Sequence, residues 1–241
     1  KASTNKVIVP EQKLNPKLQG KPVIVCNVDP QGKLVNRGIV STASYEARSF
    51  GIKSGMPVYQ ARILCPNGYF IKGNFDHYHQ ASEMVFQIMR WFVPRVYQTN
   101  LDEGFLDLRG CEALYPDSLT LGKKIRHEIR TKVGISVSIG LGKSRVVAKI
   151  ACNLAKPDGL LAIPKNKESE ILSPLTISAL PGVGPKTELV LNSQGVKTIG
   201  DVIKNKDQVV RILGKNGASL YLSALGVDNI WFKDKKATKS I

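Results

Sequence analysis

An acidic segment within an apolar run is the feature that most limits how this chain can fold. Residues 97–110 read YQTNLDEGFLDLRG, in which Asp102, Glu103 and Asp107 interrupt a stretch that otherwise resembles a buried strand. Burial of an uncompensated carboxylate strongly opposes folding. The fold must therefore bring a cation to these acids, either a metal ion or a Lys or Arg side chain.

The alternation of side chains along a strand decides which of these acids act together. Glu103 shares a face with Asp107 by simple period two, whereas Asp102 points to the other face. A bulge at Gly104, or an end of the strand, would bring Asp102 and Glu103 to one ion. Mg²⁺ is the hard cation that one or two carboxylates hold together with substrate phosphates. The alternative is an acid pair at a strand end that is bridged to Lys or Arg.

The composition predicts a polyanionic partner. The 241 residues contain 35 Lys and Arg against 19 Asp and Glu, a net charge of +16 with a sequence pI near 9.8. This surplus favours nucleic acid ahead of an anionic membrane surface, and the alternative is a merely soluble basic protein. With 42% apolar residues, the chain is long enough for one large domain or for two or three small ones.

The cysteines and the apolar runs bear on the cellular compartment. The four cysteines are too far apart for a CxxC zinc pair or a dense disulfide framework, and we interpret them as buried thiols: Cys26, Cys65, Cys111 and Cys152. No apolar run approaches the ~20 residues that cross a bilayer, and the first residues lack the apolar core of a signal peptide. We therefore expect a cytoplasmic or nuclear protein without a membrane partner. The missing initiator Met indicates a fragment or a processed chain.

Strand and helix patterns alternate along the chain, which predicts an α+β fold with helices on one face of an antiparallel sheet. Beyond about residue 165 the pattern changes to small helices broken by glycine turns. The predicted elements are strands at 21–29, 99–108 and 135–142, a strand that runs into a helix near Ser44 within 37–52, and helices at 74–92, 118–134 and 143–156.

Four segments together resemble a known family. TNLDEGFLDLRG (99–110) resembles the acidic palm strand of the Y-family, lesion-bypass DNA polymerases, and STASYEARSFGIKSGMP (41–57) is similar to their fingers motif, centred on Tyr-x-x-Arg. ISVSIGLGKSRVVAKIACNLAKPDGL (135–160) is similar to their third motif, and LPGVGPKTELVLNSQGVKTIGDV (180–202) to the helix-hairpin-helix of their thumb. The four motifs follow the order of the family and span nearly the whole chain.

The resemblance implies a right-hand polymerase core. The ferredoxin-like palm would comprise residues 1–10 and 73–162, the small α/β fingers 11–72, and the helical thumb 163–232. Residues 233–241 would begin a linker to the family's little-finger domain, which is absent from the chain.

The resemblance also assigns roles at the active site. Asp102 and Glu103 would be catalytic Mg²⁺ ligands. Tyr45 and Arg48, three apart on one helix face, would meet the triphosphate of the incoming nucleotide, and Lys156 before Pro157 would offer a point charge to its β and γ phosphates. Without the resemblance, Tyr45 and Arg48 would indicate only a surface helix. A Lys at a helix end would then be only a partner of the helix dipole.

The thumb motif predicts a phosphate contact from its own chemistry. Gly182 and Gly184 lie in a short turn before a helix, so backbone N–H groups can approach a phosphate, and Lys186 adds charge in the first turn. Such contacts position DNA without reading its sequence. The alternative is a glycine hairpin that only joins two helices.

The resemblance fails at the first strand. The family takes its first catalytic Asp from a D-x-D strand. A gapless count back from LNP (14–16) places these acids at Ala2 and Thr4, neither of which is acidic. The aromatic residues that exclude the ribose 2′-OH would fall at Lys6 and Val7. Only half of a two-metal site is therefore visible. Three explanations are left open. The strand is altered or missing, the chain is joined across a gap, or the protein is a relative that binds DNA without synthesis.

The expected function is template-directed DNA synthesis, with transfer from dNTP to a primer 3′-OH, as low-fidelity translesion synthesis. The expected partners of this monomer are primer-template DNA and dNTP, with a sliding clamp as a further candidate. One alternative is an inactive, polymerase-like accessory protein that binds DNA. Another is a helix-hairpin-helix module attached to an unrelated α+β domain.

Overall fold

A computed structural model describes residues 2–6, 12, 15–27, 29 and 38–228. Its strands are numbered β1 to β8 and its α-helices α1 to α10 in chain order. They form a five-stranded sheet with its helices, a three-stranded sheet with two short helices, and a helical unit. The predicted linker at 233–241, as well as Val7, lies outside the described residues.

The larger sheet has the strand order β5-β6-β1-β7-β8, so the first strand of the chain is central. β1 runs antiparallel to both β6 and β7, and β8 runs parallel to β7. The strands of this sheet are β1 (Ala2–Lys6), β5 (Val96–Gln98), β6 (Glu103–Leu106), β7 (Val137–Leu141) and β8 (Leu160–Ala162).

Two long helices cover one face of this sheet. They are α3 (Phe75–Phe92) and α4 (Ser118–Val133), close to the predicted bounds. The Asp117 carboxylate caps α4 by accepting hydrogen bonds from the N–H groups of Leu119 and Thr120, both at 3.0 Å. Side chains of both helices pack against the sheet in one apolar core, which includes Phe86, Met89, Leu106, Leu121, Ile125, Ile129, Val137, Ile139 and Leu141.

The opposite face of the sheet meets helix α5 (Arg145–Leu154). A Cβ atom at Gly140 would lie only 2.1 Å from the carbonyl oxygen of Ala148 and from the backbone nitrogen of Cys152. Only glycine allows the helix backbone to approach β7 so closely. Residues of β6 and β7 therefore alternate between the α3/α4 core and α5.

The smaller sheet has the order β3-β2-β4. Ser44, where the sequence predicts a strand to run into a helix, caps the first helix by accepting a hydrogen bond from the Ala47 N–H at 3.3 Å. The elements of this unit are β2 (Val23–Cys26), β3 (Val40–Ala43), β4 (Tyr69–Lys72), α1 (Tyr45–Arg48) and α2 (Val58–Leu64).

The helical unit shares its core with α5. Val146 and Ile150 of α5 belong to the same apolar cluster as Ile177, Leu191 and Val209. The backbone N–H of Val146 donates to the Asp228 carboxylate at 3.1 Å, which ties the end of the unit to the start of α5. The helices are α6 (Glu168–Leu172), α7 (Pro185–Ser193), α8 (Ile199–Lys204), α9 (Lys206–Leu213) and α10 (Lys215–Ala224).

Division of the chain into palm, fingers and thumb at the ranges given above stays a prediction.

None of the helices in the described part of the chain combines the length and the apolar character that a membrane span requires.

Candidate nucleotide and metal site

The acidic segment forms a hairpin loop followed by a short strand. β5 pairs with β6 up to Gln98 and Gly104, and the N–H groups of Thr99 and Asn100 donate to the Glu103 carbonyl at 3.0 and 3.1 Å. β6 is thus shorter than the predicted strand at 99–108. Asp102 is exposed in the loop, and Glu103 is the first residue of β6 and buried. The two carboxylates therefore lie at a strand end, one of the two arrangements that the sequence leaves open.

Glu103 forms an ion pair with a residue that the sequence analysis did not select. The Lys149 ammonium on α5 contacts its Oε1, with side-chain exposures of 27% for Lys149 and 11% for Glu103. Lys149 and Lys156 are seven residues apart, so helical periodicity could have indicated that they share a face. The acid-to-Lys bridge, the alternative to a metal, is present in the structure.

β1 supplies no acid to this site. Its sequence is ASTNK, and it pairs with β6 so that Asn5 lies opposite Glu103. Ala2 and Thr4, where the gapless count expects acids, pair with Leu106 and Gly104 instead. Sheet pairing sets the register and places Asn5, rather than either counted position, opposite Glu103.

The donor type of the two acids suits a hard cation, although Asp102 lines a cavity beside Ser82 and Phe86 whereas Glu103 lines a different one beside Lys149. Asp102 and Glu103 offer carboxylate oxygens, which Mg²⁺ prefers, and substrate phosphates commonly complete such a site. Within the residues that the structure describes, no three His, Cys, Asp or Glu side chains cluster as a metal site. The described residues therefore do not supply the carboxylates of a two-metal cage.

Asp107 does not join this pair. It is 2% exposed, and Arg109 donates to both of its carboxylate oxygens, with Nε at 2.9 and 3.0 Å. Arg95 lies 4.0 Å away. Hydrogen bonds from Arg109, aided by both positive charges, hold the pKa of the Asp107 carboxyl well below its usual range. Its charge is compensated without a metal ion.

The predicted nucleotide ligands Tyr45 and Arg48 are neighbours on α1. The Arg48 guanidinium lies 5.9 Å from the centre of the Tyr45 ring, and its Nε donates to the Ala43 carbonyl at 3.0 Å. Both side chains are exposed. One edge of the guanidinium is anchored to β3, which limits where its remaining donors can point.

Electrostatic interactions connect the two sheets at Lys156. Burial lowers the pKa of the Lys156 ammonium. The positive charges of Lys149 and Arg48 lower it further, and the negative charge of Glu103 opposes them. Lys156 Nζ donates to the Asn153 side chain at 2.9 Å. Lys156 is therefore within electrostatic reach of both the predicted fingers residue Arg48 and the acid on β6.

Arg145 is a second basic residue that the sequence analysis did not select. Its guanidinium lies 4.7 Å from the centre of the Tyr97 ring and 6.0 Å from that of Phe105. Because Arg145 and Lys149 are four residues apart on α5, they form a basic row above β5 and β6.

The helix-hairpin-helix borders the acidic site. Gly182 adopts φ +92°, a conformation that favours glycine, and Gly184 precedes Pro185, the first residue of α7. Lys186 is exposed in the first turn of α7. An open cleft of about 250 Å³ reaches from the five-stranded sheet to this hairpin and is lined by Thr99, Asn100, Glu103, Phe105, Lys149, Pro181 and Gly182.

Comparison with known families identifies about three fifths of the chain. The sequence profile described as the impB/mucB/samB family matches residues 7–153, more than half of the chain. The match begins after β1, the strand in which the expected acids are missing.

Curated relatives match nearly the whole chain but are longer. DNA polymerase IV of Dehalococcoides mccartyi is 43% identical over 220 residues, 91% of this chain and 55% of that protein. DNA polymerase IV of Streptomyces coelicolor is 42% identical, over 96% of this chain and 48% of that protein. DNA polymerase IV of Staphylococcus aureus is 38% identical, over 96% of this chain and 64% of that protein. The chain thus spans between about half and two thirds of the length of these relatives.

Solved structures confirm the predicted α+β fold. DinB from Sulfolobus solfataricus superposes with a TM-score of 0.86 at 26% identity, over 95% of this chain and 68% of that chain. The insertion ternary complex of Dbh DNA polymerase gives a TM-score of 0.84 at 28% identity, with the same coverage. The motifs, the fold and these similarities agree: the chain belongs to the impB/mucB/samB family, the Y-family of DNA polymerases.

Proposed function

We propose that this chain is the core of a DNA polymerase that transfers nucleotides from dNTPs to a primer 3′-OH. The observation that carries the proposal is the ion pair of Lys149 on α5 with Glu103 on β6. Lys156 after α5 is close enough to interact electrostatically with this pair and with Arg48 on α1. A triphosphate needs several positive charges next to a carboxylate pair that can hold its metal ion. Its relatives named DNA polymerase IV support this activity.

Each residue of the proposed site has a role that follows from its charge. Arg48 offers guanidinium N–H donors to phosphate oxygens, and Lys156 offers a point charge at the end of α5. Asp102 and Glu103 would hold a Mg²⁺ ion that, when bound, neutralises developing charge on the phosphates. Tyr45 beside Arg48 would contact the nucleotide with its ring or phenol. Together these groups orient the triphosphate for attack by the primer.

The hairpin at Gly182 and Gly184 is evidence for the binding of a DNA duplex next to this site. It lines the same cleft as Glu103, and Lys186 follows in the exposed first turn of α7. Backbone N–H groups at a helix start, together with a nearby Lys, suit phosphate contacts that carry no sequence information. The net charge of +16 supports the same partner, primer-template DNA.

Low-fidelity synthesis past damaged template is the finer part of the proposal. The cleft is open, and an open site restrains the base pair less than an enclosed one. A sliding clamp as partner, a monomeric state and a cytoplasmic or nuclear location stay predictions.

A non-catalytic DNA-binding role is the second candidate. It is favoured by the absence of an acid from β1 and by the Lys149 ammonium on Glu103. Loss of a metal-bridging carboxylate removes the geometry of two-metal transfer rather than one contact. The third alternative, a hairpin module on an unrelated domain, is wrong, because the family profile covers residues 7–153.

Primer extension with Mg²⁺ and four dNTPs separates the two remaining functions. The polymerase proposal expects extension by the unmodified chain and its loss in Asp102→Ala, with primer-template affinity retained in both. An absence of extension while the chain binds primer-template with ordinary affinity would instead support the non-catalytic role. Binding is measured by fluorescence anisotropy of a labelled duplex over a range of salt concentrations.

A further inference from the structure

Lys149 and a metal ion would compete for the same carboxylate. The ammonium contacts Glu103 Oε1, one of the few carboxylate oxygens that the site offers to a cation. Two cations at this oxygen would repel each other strongly, because the pair is largely removed from solvent. A divalent ion that binds Oε1 therefore has to break this ion pair.

A released Lys149 would lie beside the region proposed for the triphosphate. It lies close enough to Lys156 to lower the pKa of that residue, so both ammonium groups border the region proposed for the triphosphate. The long, flexible lysine stem allows the ammonium to change partners without movement of the helix. Repulsion among Lys149, Lys156 and Arg48 decreases when a polyanion binds between them.

We propose that Lys149 is the cation that pairs with Glu103 before substrate binds. A divalent ion displaces Lys149 from Glu103, and the Lys149 ammonium then binds the triphosphate beside Lys156 and Arg48. This inference rests on the proposed nucleotide site. Lys149 thus has two roles: it compensates the charge of Glu103 before substrate arrives, and it couples the binding of metal and nucleotide. Since coupling is reciprocal, each of these two ligands raises the affinity of the other.

The test is the affinity for Mn²⁺, followed by electron paramagnetic resonance of the free ion, with the full chain and without DNA. It is measured alone and with a non-hydrolysable dNTP analogue. Lys149→Met removes the charge and keeps most of the stem, Lys149→Arg keeps the charge, and Lys165→Met, at an exposed position, is the matched control.

Without nucleotide, Lys149→Met is expected to bind Mn²⁺ about 5- to 10-fold more tightly than the unmodified chain, because no ammonium competes. It should bind the nucleotide analogue more weakly, and the gain in Mn²⁺ affinity on addition of the analogue should decrease. Lys149→Arg and Lys165→Met should resemble the unmodified chain. If Lys149→Met does not fold by circular dichroism, Lys149→Gln replaces it.

Unchanged or weaker Mn²⁺ binding by a folded, neutral Lys149 variant would overturn the inference. Undiminished coupling between Mn²⁺ and the analogue would also overturn it. Neither outcome depends on primer extension. A chain that fails to extend primers but shows the expected Mn²⁺ changes would reject the polymerase activity and retain the role of Lys149.

Discussion

Asn5 lies directly opposite Glu103 in the antiparallel pairing of β1 with β6. Residues that are directly opposite in such a pair share a face of the sheet, with Cβ atoms about 5 Å apart. A carboxylate introduced at position 5 is therefore expected on the same face of the sheet as Glu103. Asparagine carries no charge, and Lys149 is the cation that contacts the Glu103 carboxylate.

Asn5→Asp is predicted to create a stronger metal site. A third carboxylate beside Glu103 raises the negative charge available to a divalent ion, and we expect Mn²⁺ affinity to rise about tenfold. Primer extension should also increase, if the existing residues position the substrates.

Ala2→Asp and Thr4→Asp are the matched controls for this prediction. Their partners Leu106 and Gly104 face α3, since Leu106 packs in the α3/α4 core and a Cβ on Gly104 would meet the Phe86 ring at 2.5 Å. These two variants should lose stability without a gain in Mn²⁺ affinity. A gain in Thr4→Asp equal to that in Asn5→Asp would contradict the observed register.

Lys156 is predicted to make nucleotide binding sensitive to alkaline pH. Burial lowers its pKa, so its ammonium loses a proton at a lower pH than an ordinary lysine does, and affinity for a triphosphate falls as pH rises. Lys156→Arg remains charged and should flatten the profile between neutral pH and about pH 10. Titration of a fluorescent dNTP analogue measures this, with Lys165→Arg as control.

Folding stability should respond to Lys156 in the opposite direction. With a folded pKa below the unfolded one, the unfolded chain binds more protons, so the free energy of unfolding contributed by Lys156 rises with pH through that window. The predicted role of Lys156 in nucleotide binding would be ruled out if the unmodified chain and Lys156→Arg showed identical pH profiles of nucleotide affinity.

Asp107 is predicted to stabilise the fold only in its ionised form. Its folded pKa is lowered, so its contribution is fully present above the unfolded value and is lost as pH falls toward the folded one. Asp107→Asn should lower the free energy of unfolding by about 2 kcal/mol at neutral pH, with a smaller difference below about pH 4. Urea denaturation at both pH values checks this. Glu112→Gln, at an exposed position, should show neither effect.

Gly140→Ala is predicted to damage the contact between β7 and α5. The added Cβ would lie 2.1 Å from backbone atoms of two α5 residues, which cannot move away as a side chain would. We expect a loss of about 3 kcal/mol or more in the free energy of unfolding. Gly184→Ala serves as control, since its φ of −94° suits alanine and a Cβ there meets nothing within 4 Å. Equal thermal stability of the two variants would contradict the close approach of α5.

Several elements could be predicted because their signals are local. The helix predicted at 74–92 is Phe75–Phe92, and the one predicted at 118–134 is Ser118–Val133, since apolar periodicity and capping residues lie within the helix itself. The strand at 99–108 was predicted too long. Alternation alone does not reveal that residues 99–102 turn in a hairpin loop, which depends on pairing with β5.

The candidate site could be predicted only in part. The residues Asp102, Glu103, Tyr45, Arg48 and Lys156 follow from family motifs, and their roles stay predictions. Lys149 and Arg145 were missed, because a basic residue on an amphipathic helix resembles any solvated residue until its neighbours are known.

By itself, the sequence determined the helices, the acidic segment, the family and the absence of acids from residues 2–6. Only the tertiary structure decided that Asn5 lies opposite Glu103 and that Lys149 forms an ion pair with Glu103. It also decided that the hairpin at Gly182 borders the cleft that these two side chains line. The physical reason is the range of the interactions. Periodicity and capping act within a few residues, whereas Glu103 and Lys149 are separated by 46 residues and meet only because β6, β1 and β7 pair beneath α5.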